Sequence, residues 1–304
     1  MIIKRSVWRV VALPAAVLAL SATAEAARVP AARPDSAQLH DCHEVAAYVS
    51  APAERVMRHL PAGWDRTFTL QRDAFGNALL LVLAVRCDRV RVSALDPGRP
   101  TTWSVFSAVV ESPDGQDCFT AGGVPKELVH LCNWYPFFWV ADNPLLVDWL
   151  RRGTPSFPAL YVAGLRYDED FARGGGLSDP AFSFQAPAPT PSPFRITADA
   201  GAPLLACEPP FLSVCSRFHP AGRYWFATGT GIVKIAVGGS DFRTGRAADG
   251  RVAPEPGTAM ADIFGADSRP FENAGLFASN ASEDASYTKE VVPRWFKPSN
   301  GGGQ

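Results

Sequence analysis

Apolar positions along this chain recur with period two far more often than with the helical period. Residues 77–87 (NALLLVLAVRC) form a near-continuous aliphatic run ending in a β-branched stretch, and residues 89–95 (RVRVSAL) alternate charge with valine as a half-exposed strand does. Residues 101–112 (TTWSVFSAVVES) continue the pattern and are closed by Pro113-Asp114-Gly115, a strong turn signal. Further strands are predicted over residues 133–141 (NWYPFFWVA), 157–170, 194–199 and 223–239, the last bent at Gly229-Thr230-Gly231 as a hairpin. Two stretches carry helical signals instead. In residues 142–153 (DNPLLVDWLRRG), Asp142 or Asn143 caps a helix with Pro144 in its first turn. Leu146, Trp149 and Leu150 make its apolar face, and Arg151, Arg152 and Gly153 end it. Residues 50–61 (SAPAERVMRHLP) repeat the scheme, with Pro52 at the start, Val56, Met57 and Leu60 on one side, and Pro61 as the stop. The predicted fold class is α+β, mainly antiparallel sheet with a few short helices packed on it.

The first residues read as an export signal. Lys4, Arg5 and Arg9 precede an apolar run over residues 10–20, and the small residues 21–26 offer A-x-A cleavage points, so residues 1–26 are expected to leave as a signal peptide. That run is too short to span a bilayer, and no later segment approaches the roughly 20 apolar residues a transmembrane helix needs. The mature chain is therefore predicted to be secreted or periplasmic. After the leader we expect an N-terminal lead-in at 27–44, then a single β-rich domain over 45–298. A Pro/Gly-rich connection interrupts that domain at 173–193, where RGGG and most of QAPAPTPSPF fall, and residues 240–258 read as a long loop. Residues 299–304 read as a disordered tail.

A formal charge of -1 with 19% charged residues leaves no basic field for nucleic acid, and that partner class drops out. All six cysteines (Cys42, Cys87, Cys118, Cys132, Cys207, Cys215) follow the leader, and no C-x-x-C occurs, which favours three disulfides over a zinc or redox motif. Six cysteines allow about fifteen pairings. Short loops close most readily, which favours Cys207 with Cys215 and Cys118 with Cys132, leaving Cys42 with Cys87 by elimination. The five histidines lack metal-ligand spacing; His40 and His43 in HDCHE come closest, and no metal is assigned. No P-loop, G-x-S-x-G or G-x-G-x-x-G occurs, so no cofactor is called for either.

The order of elements from LP-A-G through CDRVRV, the PDG turn, the aromatic strand and the LVDWLRRG helix resembles the acetoacetate decarboxylase-like superfamily. So does Gly123-Val124-Pro125-Lys126-Glu127-Leu128, which is similar to that family's active-site Gly-x-Pro-Lys-Lys-Leu. The likeness spans roughly residues 45–170. It implies a cone-shaped antiparallel β-barrel around a small-molecule cavity, with Lys126 in the place of the lysine that forms a Schiff base with a β-keto acid. This chain has Glu127 where the family has its second lysine. An anion beside an amine favours the ammonium form, the opposite of what a Schiff-base nucleophile needs, and Lys126 lies between Cys118 and Cys132. The residues therefore predict a protonated, exposed Lys126. Lys234, in GIVKIAVGG, shares a strand face with Ile232 and Ala236 and is the second candidate amine, expected to point outward.

Residues 134–139 put aromatics on both faces of one strand, and Trp134, Tyr135, Phe138 and Trp139 are the candidate ligand wall. The leading expectation is an exported barrel that binds a small apolar or keto-type molecule without Schiff-base chemistry. The alternatives are a secreted decarboxylase-like lyase or hydrolase acting on a small carbonyl compound, and a surface interaction module without a ligand cavity.

Overall fold

The aliphatic run and the first three residues of the charge-alternating run after it (89–91) form one strand, because both pair to the same neighbour. In the computed structural model, which describes residues 36–60, 64, 68–113, 133–170, 182–188, 190, 192–198, 202–203, 222–227, 231–238, 245–248, 250–265 and 277–293, that neighbour is β1 (Ser36–Ala51). Pro52 then opens the short helix α1 (Ala53–Arg58), and β2 (Ala78–Arg91) pairs back along β1 from Ala51↔Ala78 to Gln38↔Arg91. β3 (Arg99–Val109) and β4 (Asn133–Ala141) extend the sheet antiparallel. Helix α2 (Pro144–Arg151) follows with the cap expected of it: Asn143 accepts a hydrogen bond from the Leu145 backbone N–H, with Pro144 at the first position.

Next come β5 (Ala159–Tyr161), β6 (Arg166–Glu169), β7 (Phe182–Ala186), β8 (Phe194–Ala198) and β9 (Ala202–Pro203). They are followed by β10 (Arg223–Ala227), β11 (Gly231–Gly238), β12 (Gly245–Ala248) and β13 (Gly250–Pro254). Helix α3 (Ala259–Phe264) and β14 (Phe277–Pro293) complete the described elements.

The strand order β1-β2-β3-β4-β10-β11-β14, with β14 also pairing β1, closes a seven-stranded barrel. All its ladders are antiparallel except β4–β10. A second antiparallel sheet, β13-β8-β7-β6, lies outside this closed path. The fold is thus α+β with a β-barrel at its centre.

Several features differ from the sequence expectation, among them residues 157–170, read as one strand, which form β5 and β6 in different sheets. β1 starts inside the stretch read as a lead-in, and β7 falls in the stretch read as a connection. β12 and β13 occupy the stretch read as a long loop. Neither α3 nor β14 was foreseen. In each strand the backbone partners, not the local apolar pattern, create the element: β14 pairs with β1, β11 and β12 despite its polar sequence. Cys42 and Cys87 face each other across β1 and β2 and form the disulfide reached by elimination. Cys118, Cys132, Cys207, Cys215, the leader and the tail lie outside the described residues.

Candidate functional site

Strand alternation fixes which side chains enter the barrel, and β4 breaks that alternation once. Phe106 pairs with Phe138 while Ser107 pairs with Pro136, so Phe137 is an extra, bulged residue. Trp134 and Trp139 are five positions apart and would face opposite ways on a regular strand; the bulge turns both to one side. Ring contacts identify that side as the interior. Trp103 on β3 and Trp139 on β4 lie 6.3 and 5.8 Å from Tyr287 on β14, a strand adjacent to neither. Tyr224 joins them, 4.9 Å from both Trp134 and Trp139. The close approach of Trp134 needs Gly222, where a Cβ would sit 2.6 Å from the indole.

On β1 and β2 the same face carries Glu44, Ala46, Tyr48 and Ser50, opposite Val85, Leu83, Leu81 and Leu79. Glu44, Tyr48, Leu79 and Trp134 on this face are partly solvent-accessible, whereas Leu81, Leu83 and Val85 beside them are buried. The outward residues Val45, Ala47 and Val49 are buried to 1–2% exposure. Tyr48 is enclosed by the wall and still borders accessible space; burial, then the Glu44 carboxylate, pushes its phenol well above the ordinary tyrosine value. Burial does the same to Tyr224, reinforced by Tyr287, Glu44 and Tyr48. These phenols stay protonated at any working pH, so they can donate hydrogen bonds but cannot act as bases. Three more donors face inward without a protein acceptor: the indole N–H groups of Trp103 and Trp139 and the hydroxyl of Ser107, all at 1% exposure or less. A buried donor left without an acceptor costs about 1–3 kcal/mol, and an oxygen on a bound molecule would relieve it. The chemistry on offer is therefore an aromatic wall, convergent donors and one carboxylate.

Helix α2 crosses one end of this interior. The Asn143 amide donates to Thr101 Oγ1 on β3 at 2.9 Å, and Lys289 Nζ on β14 donates to the Leu150 and Arg152 carbonyls at 2.6 Å each. An ammonium on the free carbonyls of a helix C-terminus satisfies them and complements the helix dipole. At the other end, Ser50, Leu79 and Trp134 mark the accessible side, where residues 110–113 leave β3 and Asn133 starts β4.

The predicted site residues divide accordingly. Trp134 and Trp139 line the interior, while Tyr135 and Phe138 sit on the outer side: Phe138 against Phe194 of β8 at 5.9 Å, Tyr135 against Phe68 at 5.2 Å. Lys234 lies on the barrel's outer face with Trp225, its Nζ 3.1 Å from Glu290 and 5.7 Å from the Trp225 ring centre. Lys126 lies outside the described residues. Both described lysines, Lys234 and Lys289, are thus held by protein partners. Glu44, Tyr48, Trp103, Tyr224 and Tyr287 were missed by sequence reasoning. Only the period-two spacing of Glu44, Ala46, Tyr48 and Ser50 hinted at them, and a bend at Asp41, with φ 49°, hides its start.

Outside the barrel, His43 Nδ1 lies 3.1 Å from Glu169 Oε1, and the Tyr167 hydroxyl donates to Glu169 Oε2 at 2.7 Å. This chain ties β1 to β6 of the second sheet. The hydrogen bond to Glu169 holds the His43 pKa above its ordinary value against the opposing effect of burial.

No protein-family model matches the chain, and no curated protein matches it in sequence. Solved structures do match over most of its length. They include the acetoacetate decarboxylase of Legionella pneumophila, at TM-score 0.52 and 9% identity over 85% of this chain and 88% of that one. An acetoacetate decarboxylase-like enzyme from Sphingomonas wittichii RW1 aligns at TM-score 0.52 and 14% identity, over 86% and 94% of the two chains. The enduracididine biosynthesis enzyme MppR complexed with pyruvate aligns at TM-score 0.51 and 12% identity, over 90% and 95%. At such identities the likeness establishes the fold, and the chain has an acetoacetate decarboxylase-like fold.

Proposed function

We propose that this is an exported binding protein whose barrel interior takes up a small molecule with an apolar body and a carbonyl or carboxylate oxygen, without Schiff-base chemistry. One observation carries the reading: on an inward face that is otherwise buried, Glu44, Tyr48 and Trp134 keep partial solvent access beside the unpartnered buried donors of Trp103, Trp139 and Ser107. The unpartnered donors of Trp103, Trp139 and Ser107 suit an acceptor oxygen, and the aromatic rings suit an apolar body. The pyruvate complex of MppR shows that another barrel of this shape holds a keto acid. Export rests on the leader pattern and agrees with the Cys42–Cys87 disulfide. The second reading, a secreted lyase, is favoured by Gly-Val-Pro-Lys at residues 123–126 on this fold and opposed by Glu127.

Titration with pyruvate and with acetoacetate, read by tryptophan fluorescence and followed by borohydride treatment and intact-mass measurement, separates the two. Binding predicts a saturable fluorescence change and no mass adduct, with Lys126→Ala changing affinity less than about three-fold. A borohydride-stable adduct lost in Lys126→Ala establishes the lyase. No saturable change with either compound overturns the keto-type ligand.

A further inference from the structure

The barrel wall has a gap between β4 and β10. Among the described residues their ladder consists of Arg223↔Asn133 and Tyr224↔Trp134, and β4 next finds a described partner on that edge at Trp139, where β5 begins. Beside the unpaired stretch lies a cleft of 290 Å³, lined by Tyr135, Pro136 and Phe137 of β4, Pro158, Phe226 of β10, and Arg58, His59 and Leu60 at the end of α1. Tyr135 and Phe226 stack with centroids 5.7 Å apart, so the walls are aromatic and held in place. The rim is cationic. Arg55 donates to the Asp262 carbonyl, and His59 is taken by the Asp262 carboxylate at 2.7 Å, so α1 and α3 hold each other. Arg58 makes no hydrogen bond or ion pair among the described residues and is exposed at the cleft. Tyr135, a wall residue only 2% exposed, has a buried hydroxyl with no acceptor.

We propose that this cleft is a second binding site, separate from the barrel interior, for a single-ring or short-chain organic carboxylate. Its apolar body lies against Tyr135, Phe137 and Phe226, and its carboxylate pairs with Arg58. Size sets the class: pockets for drug-sized molecules run from roughly 300 to 1,000 Å³, so this one holds about one ring. Charge sets the sign, because Arg58, whose charge also acts on Asp262 but whose guanidinium makes no hydrogen bond or ion pair among the described residues, has a planar fork that matches a carboxylate. One guanidinium is too little for a phosphate dianion. The Tyr135 hydroxyl supplies the buried donor that fixes orientation.

Phenylacetate and its uncharged counterpart phenylacetamide, titrated calorimetrically into the purified protein, test this directly. Phenylacetate is expected to bind about five-fold or more tighter than the amide. Arg58→Ala removes that preference and leaves amide binding in place, and because Arg58 is exposed the variant folds as the parent does. Tyr135→Phe, which keeps the ring, weakens both probes about three- to ten-fold. Equal affinity for the two probes, a preference that survives Arg58→Ala, or no heat up to about 10 mM probe overturns the proposal. So does loss of phenylacetate binding on Trp139→Phe, which would place the probe inside the barrel. None of the first three results bears on the interior site, whose own test uses keto acids and Trp139.

Discussion

The two sides of the barrel wall are built for different ends, and β1 shows both within one strand. Its outward side chains Val45, Ala47 and Val49 are 1–2% exposed, and the same outer surface continues through Val82 and Leu80 to Phe106, whose ring meets Phe137, Phe138 and Phe264 within 5.5 Å. Its inward side chains Glu44 and Tyr48 are polar and partly accessible, while the inward Ser50 hydroxyl is buried. In most small barrels the dry core is inside. Here both faces of the wall are dry over most of their area: Leu81, Val105, Trp139 and Tyr224 inside, like Val45, Val82 and Phe106 outside, are at 1% exposure or less, and partial access is confined to a few inward positions such as Glu44 and Tyr48, on which the proposed site would draw.

Substitutions on the two sides should therefore separate stability from binding. The largest expected effect is on the outside: Phe106→Ala removes a ring at 0% exposure and should cost about 3–5 kcal/mol in denaturant unfolding, with ligand affinity per folded molecule unchanged. An affinity loss there would mean that the two sides are not separable. Converting Cys42 and Cys87 together to serine releases a loop of sequence separation 45 and should cost about 4 kcal/mol on the chain-entropy account, read as a lower melting temperature that reductant reproduces in the parent.

On the inside, Trp139→Phe deletes an unpartnered indole N–H and should shift stability by less than about 1.5 kcal/mol while weakening keto-acid binding by a similar amount. The reverse pattern, a stability loss with intact affinity, would make Trp139 a packing residue only.

A smaller effect concerns the contact between barrel and outer sheet. The His43 pKa is raised by Glu169, so its stabilising contribution is complete below the unfolded value of 6.5 and fades as pH rises through the higher folded value. His43 is 41% exposed, so solvent screening keeps the contribution under about 1 kcal/mol. Unfolding measured on either side of neutral pH should show this slope in the parent and lose it in His43→Gln. The smallest change is expected for Lys234→Met, which breaks an exposed pair with Glu290 and should move stability by less than about 1 kcal/mol with no effect on keto-acid binding.

The fold was legible wherever a strand buries one face or both. β2, β3, β4 and α2 follow the apolar pattern and the capping residues closely. β1 was obscured because its first half is polar, so HDCHE reads as a polar lead-in although Cys42 pairs across to Cys87. β12, β13 and β14 were obscured because their partners lie far away in sequence, and no local window records that pairing. The site was half legible. Four aromatics on β4 were visible, but assigning them to sides required the bulge at Phe137, for which the adjacent Pro136 was the only local sign, since proline in a sheet favours bulges and edges. Glu44, Tyr224 and Tyr287 meet only through barrel closure, and no spacing rule connects three strands so far apart.

That closure joins the earliest described strand to the last. β14 pairs with β1, and through Lys289 it also holds the carbonyl end of α2. A ribosome emitting this chain, or a translocon passing it, delivers β1 to β4 long before β14 arrives. Until then the four-stranded sheet has two open edges and an uncovered inner face. The Cys42–Cys87 link lies within the first hairpin and needs nothing downstream, so oxidation can lock β1 to β2 while the rest is still emerging. The inner face becomes a compartment only when residues 277–293 dock, and a chain truncated before them should be handled by the cell as an unfinished product rather than as a shorter version of the same protein.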